Sequence, residues 1–234
     1  MKIKLSATMA LLVAGAFFYQ SPMKACTGIT LKSKKDTTIV ARTIEWGGSN
    51  LNSQYVIVPR GYTERSYTPD GIDGMSFTAR YGYVGLAVEQ KEFVAEGLNE
   101  AGLSAGLFYF PNYGQYEKYD SAKKAKSISD LQLVSWILGK CATVDEVKEA
   151  ARKVHIINID PRASTVHWRF ADISGRQLVL EITNGELHFY ENKLRSEQTG
   201  CAHQLSRFRM ASYESEQLCQ FVSRYSSRTT AWQH

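Results

Sequence analysis

Cys26 stands directly behind a segment that reads as an export signal, with an uncleaved anchor as the alternative. Lys2 and Lys4 form a basic start, and "ATMALLVAGAFF" (7–18) is an apolar run too short for a comfortable membrane span. Polar "YQSP" follows, and then Ala25, a small residue suited to cleavage. Residues 1–25 are therefore expected to be an export signal, and cleavage after Ala25 would make Cys26 the new N-terminus. Three roles for that cysteine are open. A lipid-modified N-terminal Cys wants small, uncharged residues before it, and Lys24 argues against this. A disulfide is allowed in an exported protein. The four cysteines, Cys26, Cys141, Cys201 and Cys219, show no CxxC and no metal-ligand spacing. The third role is that of a nucleophile.

The chemistry of that third role is compact. A thiol attacks as thiolate, and an ordinary Cys is mostly protonated at neutral pH. An N-terminal residue also carries an α-amine, with a pKa near 8, so a useful fraction is neutral. The amine can take the thiol proton and return it to a leaving amine. One residue then supplies both nucleophile and base.

Other function classes find no support. The formal charge of +5 is unevenly spread. Residues 26–194 carry 20 Lys and Arg against 20 Asp and Glu, and the excess sits in the first 25 residues and the last 40. No basic aromatic patch suggests nucleic acid. There is no Gly-rich phosphate loop, no HExxH and no EF-hand.

The elements that must position Cys26 begin at once. "CTGITL" and "TTIVART" flank the turn-like "KSKKD" and predict a hairpin. "SQYVIVPR" (53–60) predicts another strand, and "GYTERSYTPDGIDG" a loop. "MSFTARYGYVGLAVEQ" alternates apolar and polar residues, as a sheet would. "EGLNEAGLSAGLFYFP" (96–111) predicts a turn at Asn99–Gly102, with Asn99 structural, leading into a buried strand ended by Pro111.

Two helices follow. "SISDLQLVSWILGK" has Ser127 as candidate N-cap, Leu131, Val134, Ile137 and Leu138 on one face, and Gly139 as a stop. "TVDEVKEAARKV" opens on Thr143 and Glu146, a capping box. Then "STVHWRFADI", "RQLVLEIT" and "ELHFY", joined by turns at Ser174–Gly175 and Asn184–Gly185, predict three antiparallel strands. Strands, then helices, then strands imply an α+β domain. His155, His167 and His188 have no metal spacing and are expected to be structural.

Taken together, "CTGIT" (26–30), "ARTIEWG" (41–47), "YVIVPR" (55–60), "EGLNEAGLSAGLFYFP" (96–111) and "STVHW" (164–168) resemble the choloylglycine hydrolase and penicillin V acylase family. These are linear amide hydrolases of the N-terminal nucleophile superfamily. The resemblance implies an αββα sandwich of two antiparallel sheets between helix layers. It implies that Cys26 attacks an amide carbonyl to form a thioester, which water then releases. Arg42 matches the family's arginine beside the thiol, where a guanidinium favours thiolate. Glu45 stands where many members have Asp, and its carboxylate would orient the α-amine. Tyr109 aligns with a position that is Asn in many bile-salt hydrolases and Tyr in penicillin V acylases, where a donor would serve the oxyanion. A core tyrosine is the rival reading of Tyr109. Trp46 is read as packing.

The resemblance extends to about Leu194. Residues 195–234 contain no Lys, Asp or Pro and a single glycine, Gly200. The family's next segment would supply an oxyanion Asn, then a further Arg and the remaining strands. Codons can be chosen for residues 200–225 so that reading one base later yields GVLTNSPGFEWHLTNLNNYVNLYPG, which is close to that continuation. The expected organisation is therefore a signal at 1–25, a partial hydrolase domain at 26–194 that leaves the sandwich incomplete, and an out-of-frame tail at 195–234.

The expected substrate is a conjugated bile acid, with penicillin V or another acyl amide as the alternative within the enzyme class. A catalytically impaired remnant or an exported non-catalytic protein is the alternative outside it. The resemblance implies no metal and no organic cofactor. It implies a homotetramer in the family, which truncation would disturb. The signal implies export to a periplasm or beyond, with no stable membrane span after processing.

Overall fold

The computed structural model describes residues 26, 28–32, 38–44, 51–110, 113–159 and 165–193. The expected signal at 1–25, Glu45, Trp46 and the segment 195–234 lie outside these. The first elements are the strands β1 (Gly28–Lys32), β2 (Thr38–Arg42), β3 (Ser53–Val58), β4 (Thr63–Arg65), β5 (Ser76–Thr78), β6 (Tyr83–Val88), β7 (Val94–Asn99), β8 (Ser104–Tyr109) and β9 (Ser127–Ser129). Two helices follow, α1 (Leu133–Lys140) and α2 (Val144–Ala151). The chain then forms β10 (His155–Ile157), β11 (Val166–Ala171), β12 (Arg176–Thr183) and β13 (Glu186–Lys193). Among the described residues no helix is long and apolar enough to cross a membrane.

Seven strands form one antiparallel sheet in the order β13-β12-β11-β8-β7-β6-β3. Its two faces differ. Val166, Trp168, Phe170, Leu178, Leu180 and Ile182 alternate toward one face and are buried in the main apolar core with α1 and α2. The close approach of α1 is visible at Gly97, where a Cβ would meet Leu138 at 2.5 Å. The other face carries the buried polar side chains His167, Arg169, Gln177 and Glu181, beside Ala171 and Val179. The β1–β2 hairpin covers this second face. Thr30 donates to the Gln177 side chain at 2.8 Å, and Arg169 donates to the carbonyls of Ile29 and Ala41. The described residues thus form a helix layer, a seven-stranded sheet and a two-stranded hairpin on its other face, which is the α+β architecture expected.

Several local expectations are met in detail. The β1–β2 hairpin pairs Gly28 with Arg42 and Lys32 with Thr38. Asn184 and Gly185 take φ of 55° and 75°, the two-residue turn that such a pair favours. Thr143 caps α2 by accepting from the Glu146 N–H. The reciprocal arm is displaced: Glu146 accepts from Ala142 at 2.8 Å. Asn99 is the structural turn residue expected. Its carbonyl accepts from Ala101 and Leu103, and its amide donates to Leu138 and Cys141 at the end of α1.

The alternating run at 75–90 is sheet as expected, in two strands, β5 and β6, because the chain turns at 79–82 to hydrogen-bond the Gly139 carbonyl. Other expectations are corrected. Ser127 does not cap the first helix. It lies in β9, which pairs in parallel with β10, and Ser129 caps a 3-10 turn at 130–132 that leads into α1. Gly139 does not stop α1; it lies inside it, where a Cβ would stand 3.3 Å from Ala79. Helix α1 buries seven of its eight residues rather than one face, since it runs between the sheet and the β4–β5 segment.

Candidate active site

The first hairpin places Cys26 and Arg42. Gly28 is paired with Arg42 across the antiparallel ladder, so Cys26 begins two residues before the point where the hairpin meets the sheet. Gly28 itself is where that meeting is closest. A Cβ there would stand 2.6 Å from Arg169 Nη1 and 2.9 Å from Phe108 Cζ. Only glycine lets the strand lie this near the arginine and the ring.

Arg42 reaches under the hairpin into the sheet. Its side chain is 5% exposed. Nη1 donates to the Ala95 carbonyl at 3.2 Å and to the Leu107 carbonyl, and Nε donates to the Thr43 carbonyl at 3.2 Å. The guanidinium carbon lies 4.1 Å from the Phe108 ring centroid, a cation–π distance. These fixed acceptors match the planar donor fork of arginine, which an ammonium would not fill.

Two residues that the sequence reading did not single out complete the arrangement. Arg169 on β11 is equally buried and lies 5.2 Å from the same Phe108 ring. Glu96 on β7 sits between the two guanidiniums, 3.6 Å from Arg42 and 3.7 Å from Arg169. Burial raises the Glu96 carboxyl above its ordinary value, against the opposing pull of Arg169 and Arg42. Burial likewise lowers Arg169, against the pull of Glu96. A signal for Arg169 was present: in "VHWRFA" His167 and Arg169 alternate with apolar residues, so both lie on one face of that strand. Glu96 was read only as part of a turn motif.

Beyond this layer, His167 stacks on Phe110 at 4.7 Å with an interplanar angle of 5°, and its Nδ1 lies 3.2 Å from Glu181. The structural reading of His167 fits this packing. Tyr109 is paired with Val166, so strand alternation sets it with the core-facing residues rather than with Phe108 and Arg169. The structure therefore brings together Arg42, Arg169, Glu96 and the Phe108 ring under the first hairpin, and Cys26 stands two residues before Gly28 at the start of that hairpin. Tyr109 belongs to the opposite alternation, and Glu45 lies outside the described residues. Among the described residues no three His, Cys, Asp or Glu side chains form a metal-binding group.

An open groove of about 1130 Å³ leads away from Arg42 and Glu96 across β7, β6 and β3. Val40, Ile44, Tyr55, Ile57, Val84, Leu98 and Ile173 line it. The hairpin stops short of this flank, and Tyr55, Ile57 and Ile173 are 91%, 81% and 80% exposed.

With this geometry in view, the comparisons with known proteins are specific. The chain is 27% identical over 175 residues to the bile salt hydrolase/transferase of Clostridium perfringens, covering 72% of this chain and 51% of that one. A crystal structure of a variant of conjugated bile acid hydrolase from Clostridium perfringens superposes with a TM-score of 0.60 at 28% identity, over 71% of this chain and 51% of that one. Penicillin V acylase from Agrobacterium tumefaciens superposes with a TM-score of 0.62 at 22% identity, over 71% and 50%, and so shares the fold. The chain spans about half the length of the relatives it matches. The sequence model of the linear amide C–N hydrolases, choloylglycine hydrolase family, matches residues 26–227, which begins at Cys26 and includes every element of the site. The chain belongs to the choloylglycine hydrolase family of linear amide C–N hydrolases.

Proposed function

We propose that this chain carries the nucleophile-bearing part of an exported cysteine amidohydrolase that splits conjugated bile acids into a steroid acid and glycine or taurine. One observation carries the reading. The register of the first hairpin sets Gly28 opposite Arg42, which places Cys26 at the head of a strand that rests on buried guanidiniums. Positive charge next to a thiol favours thiolate.

The steps follow from the groups. Removal of residues 1–25 frees the α-amine of Cys26. The amine takes the thiol proton, and Sγ attacks the amide carbonyl carbon. The tetrahedral oxyanion collapses, the C–N bond breaks, and the ammonium returns its proton to the leaving amine. Water, deprotonated by the same amine, then attacks the thioester carbonyl. The C–S bond breaks, the acid leaves, and the thiol is restored. Arg42 supplies fixed positive charge. Glu45 is proposed to orient the α-amine, and the backbone N–H at Tyr109, whose side chain lies in the core-facing alternation, to assist the oxyanion. The bile-acid preference rests on the name of the relative from Clostridium perfringens.

The test begins with the natural protein. Its intact mass and N-terminal residue are determined, and release of glycine and taurine from conjugated bile acids is compared with penicillin V hydrolysis. A protein starting at Cys26 that hydrolyses conjugated bile acids, with activity lost in Cys26→Ala, supports the reading. Preference for penicillin V moves the substrate to the alternative. A lipid-sized mass increment on Cys26 overturns the nucleophile role. A processed protein with a reactive Cys26 and no turnover is the impaired remnant. The text after Leu194 is proposed to be out of frame, and gene sequencing decides it: codons that do not yield the shifted text defeat the idea.

A further inference from the structure

We propose that Glu96 is a positioning residue for the reaction: it cancels one of the two positive charges under the first strand and so sets the acidity of the Cys26 thiol. The proposal rests on the nucleophile reading of Cys26.

Three charged side chains form a layer here, two buried guanidiniums and a half-buried carboxylate, contributed by three separate elements. Arg42 comes from β2, Arg169 from β11 and Glu96 from β7. Both arginine side chains are 5% exposed, and both lie against the Phe108 ring. Two guanidiniums in one desolvated layer repel each other unless a counter-charge lies between them. Glu96 supplies it at 3.6 and 3.7 Å.

Position and charge are divided among different groups. Each guanidinium is tied to backbone carbonyls, Arg42 to those of Ala95, Leu107 and Thr43 and Arg169 to those of Ile29 and Ala41. Glu96 Oε2 is buried and accepts no hydrogen bond from the described residues, so its main tie to the layer is electrostatic. Removing its charge leaves both arginines anchored and raises the layer from one net positive charge to two. Among the described residues the titratable groups on this side include His167 on β11, paired with Glu181 on β12, His188 and Tyr190 on β13, opposite Glu181 and Val179, and Cys26 itself.

Cys26 lies two residues, roughly 7 Å of extended strand, from Gly28, which sits directly on Arg169. One unit of charge in the partly buried layer beneath this strand is expected to move a thiol at its head by about half to one pH unit.

The experiment uses the processed full chain. The rate of Cys26 alkylation by iodoacetamide is followed by peptide mass spectrometry from pH 5 to 10, for the natural sequence, Glu96→Gln and Glu96→Asp. The expected result is a thiol midpoint lower by about half to one unit in Glu96→Gln, seen as a roughly three- to tenfold faster reaction on the acid side, with Glu96→Asp close to the natural protein. A folded Glu96→Gln with an unchanged midpoint overturns the proposal. If Glu96→Gln does not fold, Arg169→Met gives the opposite test: the midpoint rises, and a fixed midpoint overturns the proposal. An ordinary thiol midpoint near 8.5 in the natural protein defeats the nucleophile reading instead, so the two failures are distinct.

Discussion

Gly28 and Arg169 meet so closely that a Cβ on the glycine would stand 2.6 Å from the guanidinium Nη1. The arginine has little room to retreat, because it donates to the carbonyls of Ile29 and Ala41 in the same hairpin. Gly28→Ala is therefore expected to push the hairpin off the sheet and to cost about 1–3 kcal/mol. Urea unfolding measures the loss, and Cys26 alkylation at pH 7 should slow in the same variant.

Arg42→Lys tests the donor fork. The ammonium cannot reach the carbonyls of Ala95, Leu107 and Thr43 together, so the half-buried acceptors at Ala95 and Leu107 are not both met. The expected cost is about 2–4 kcal/mol in chemical unfolding. A loss below about 0.5 kcal/mol would mean that the carbonyls are satisfied without the guanidinium.

Stability should fall as pH rises from 5 to 8. Burial pushes Asp130 up to about 7, and burial with Glu92 nearby pushes Glu64 up to about 7. Below pH 4 folded and unfolded chains both hold these protons. Between about 4 and 7 the folded chain keeps protons that the unfolded chain releases, so each pH unit weakens the fold until both groups have titrated. The exposed Asp145, held low by Arg176 and Lys148, acts with the opposite sign but below this window. Melting temperatures at pH 5, 6, 7 and 8 should decline, and Asp130→Asn should flatten the decline by more than a third.

The open groove predicts a surface phenotype. Tyr55 and Ile57 are 91% and 81% exposed on β3, beside Val84 and Leu98 at 52% and 50%. Apolar area of this extent binds hydrophobic dyes and promotes association. The double variant Tyr55→Glu with Ile57→Lys should roughly halve dye fluorescence and change unfolding free energy by less than about 0.5 kcal/mol, since neither side chain is buried.

Taken by itself, the sequence determined what depends on near neighbours. Two hairpins, the Asn184–Gly185 turn, the Thr143 cap, the structural role of Asn99 and the α+β order were all legible, because turn chemistry, alternation and capping act over a few residues. The pattern starting at Cys26 was legible as a resemblance, and the family match begins at that residue. Tertiary structure decided the rest. It cut the alternating run at 75–90 into two strands by docking the intervening turn on Gly139, and it turned a one-faced helix into a buried one. It also set Tyr109 in the core-facing alternation. Above all, it gathered Arg42, Glu96 and Arg169 into one layer from positions up to 127 residues apart. A charged residue in a strand is usually solvated, and no local pattern says which few will be buried. That depends on which face the first hairpin covers, and the covering is possible only because Gly28 has no side chain.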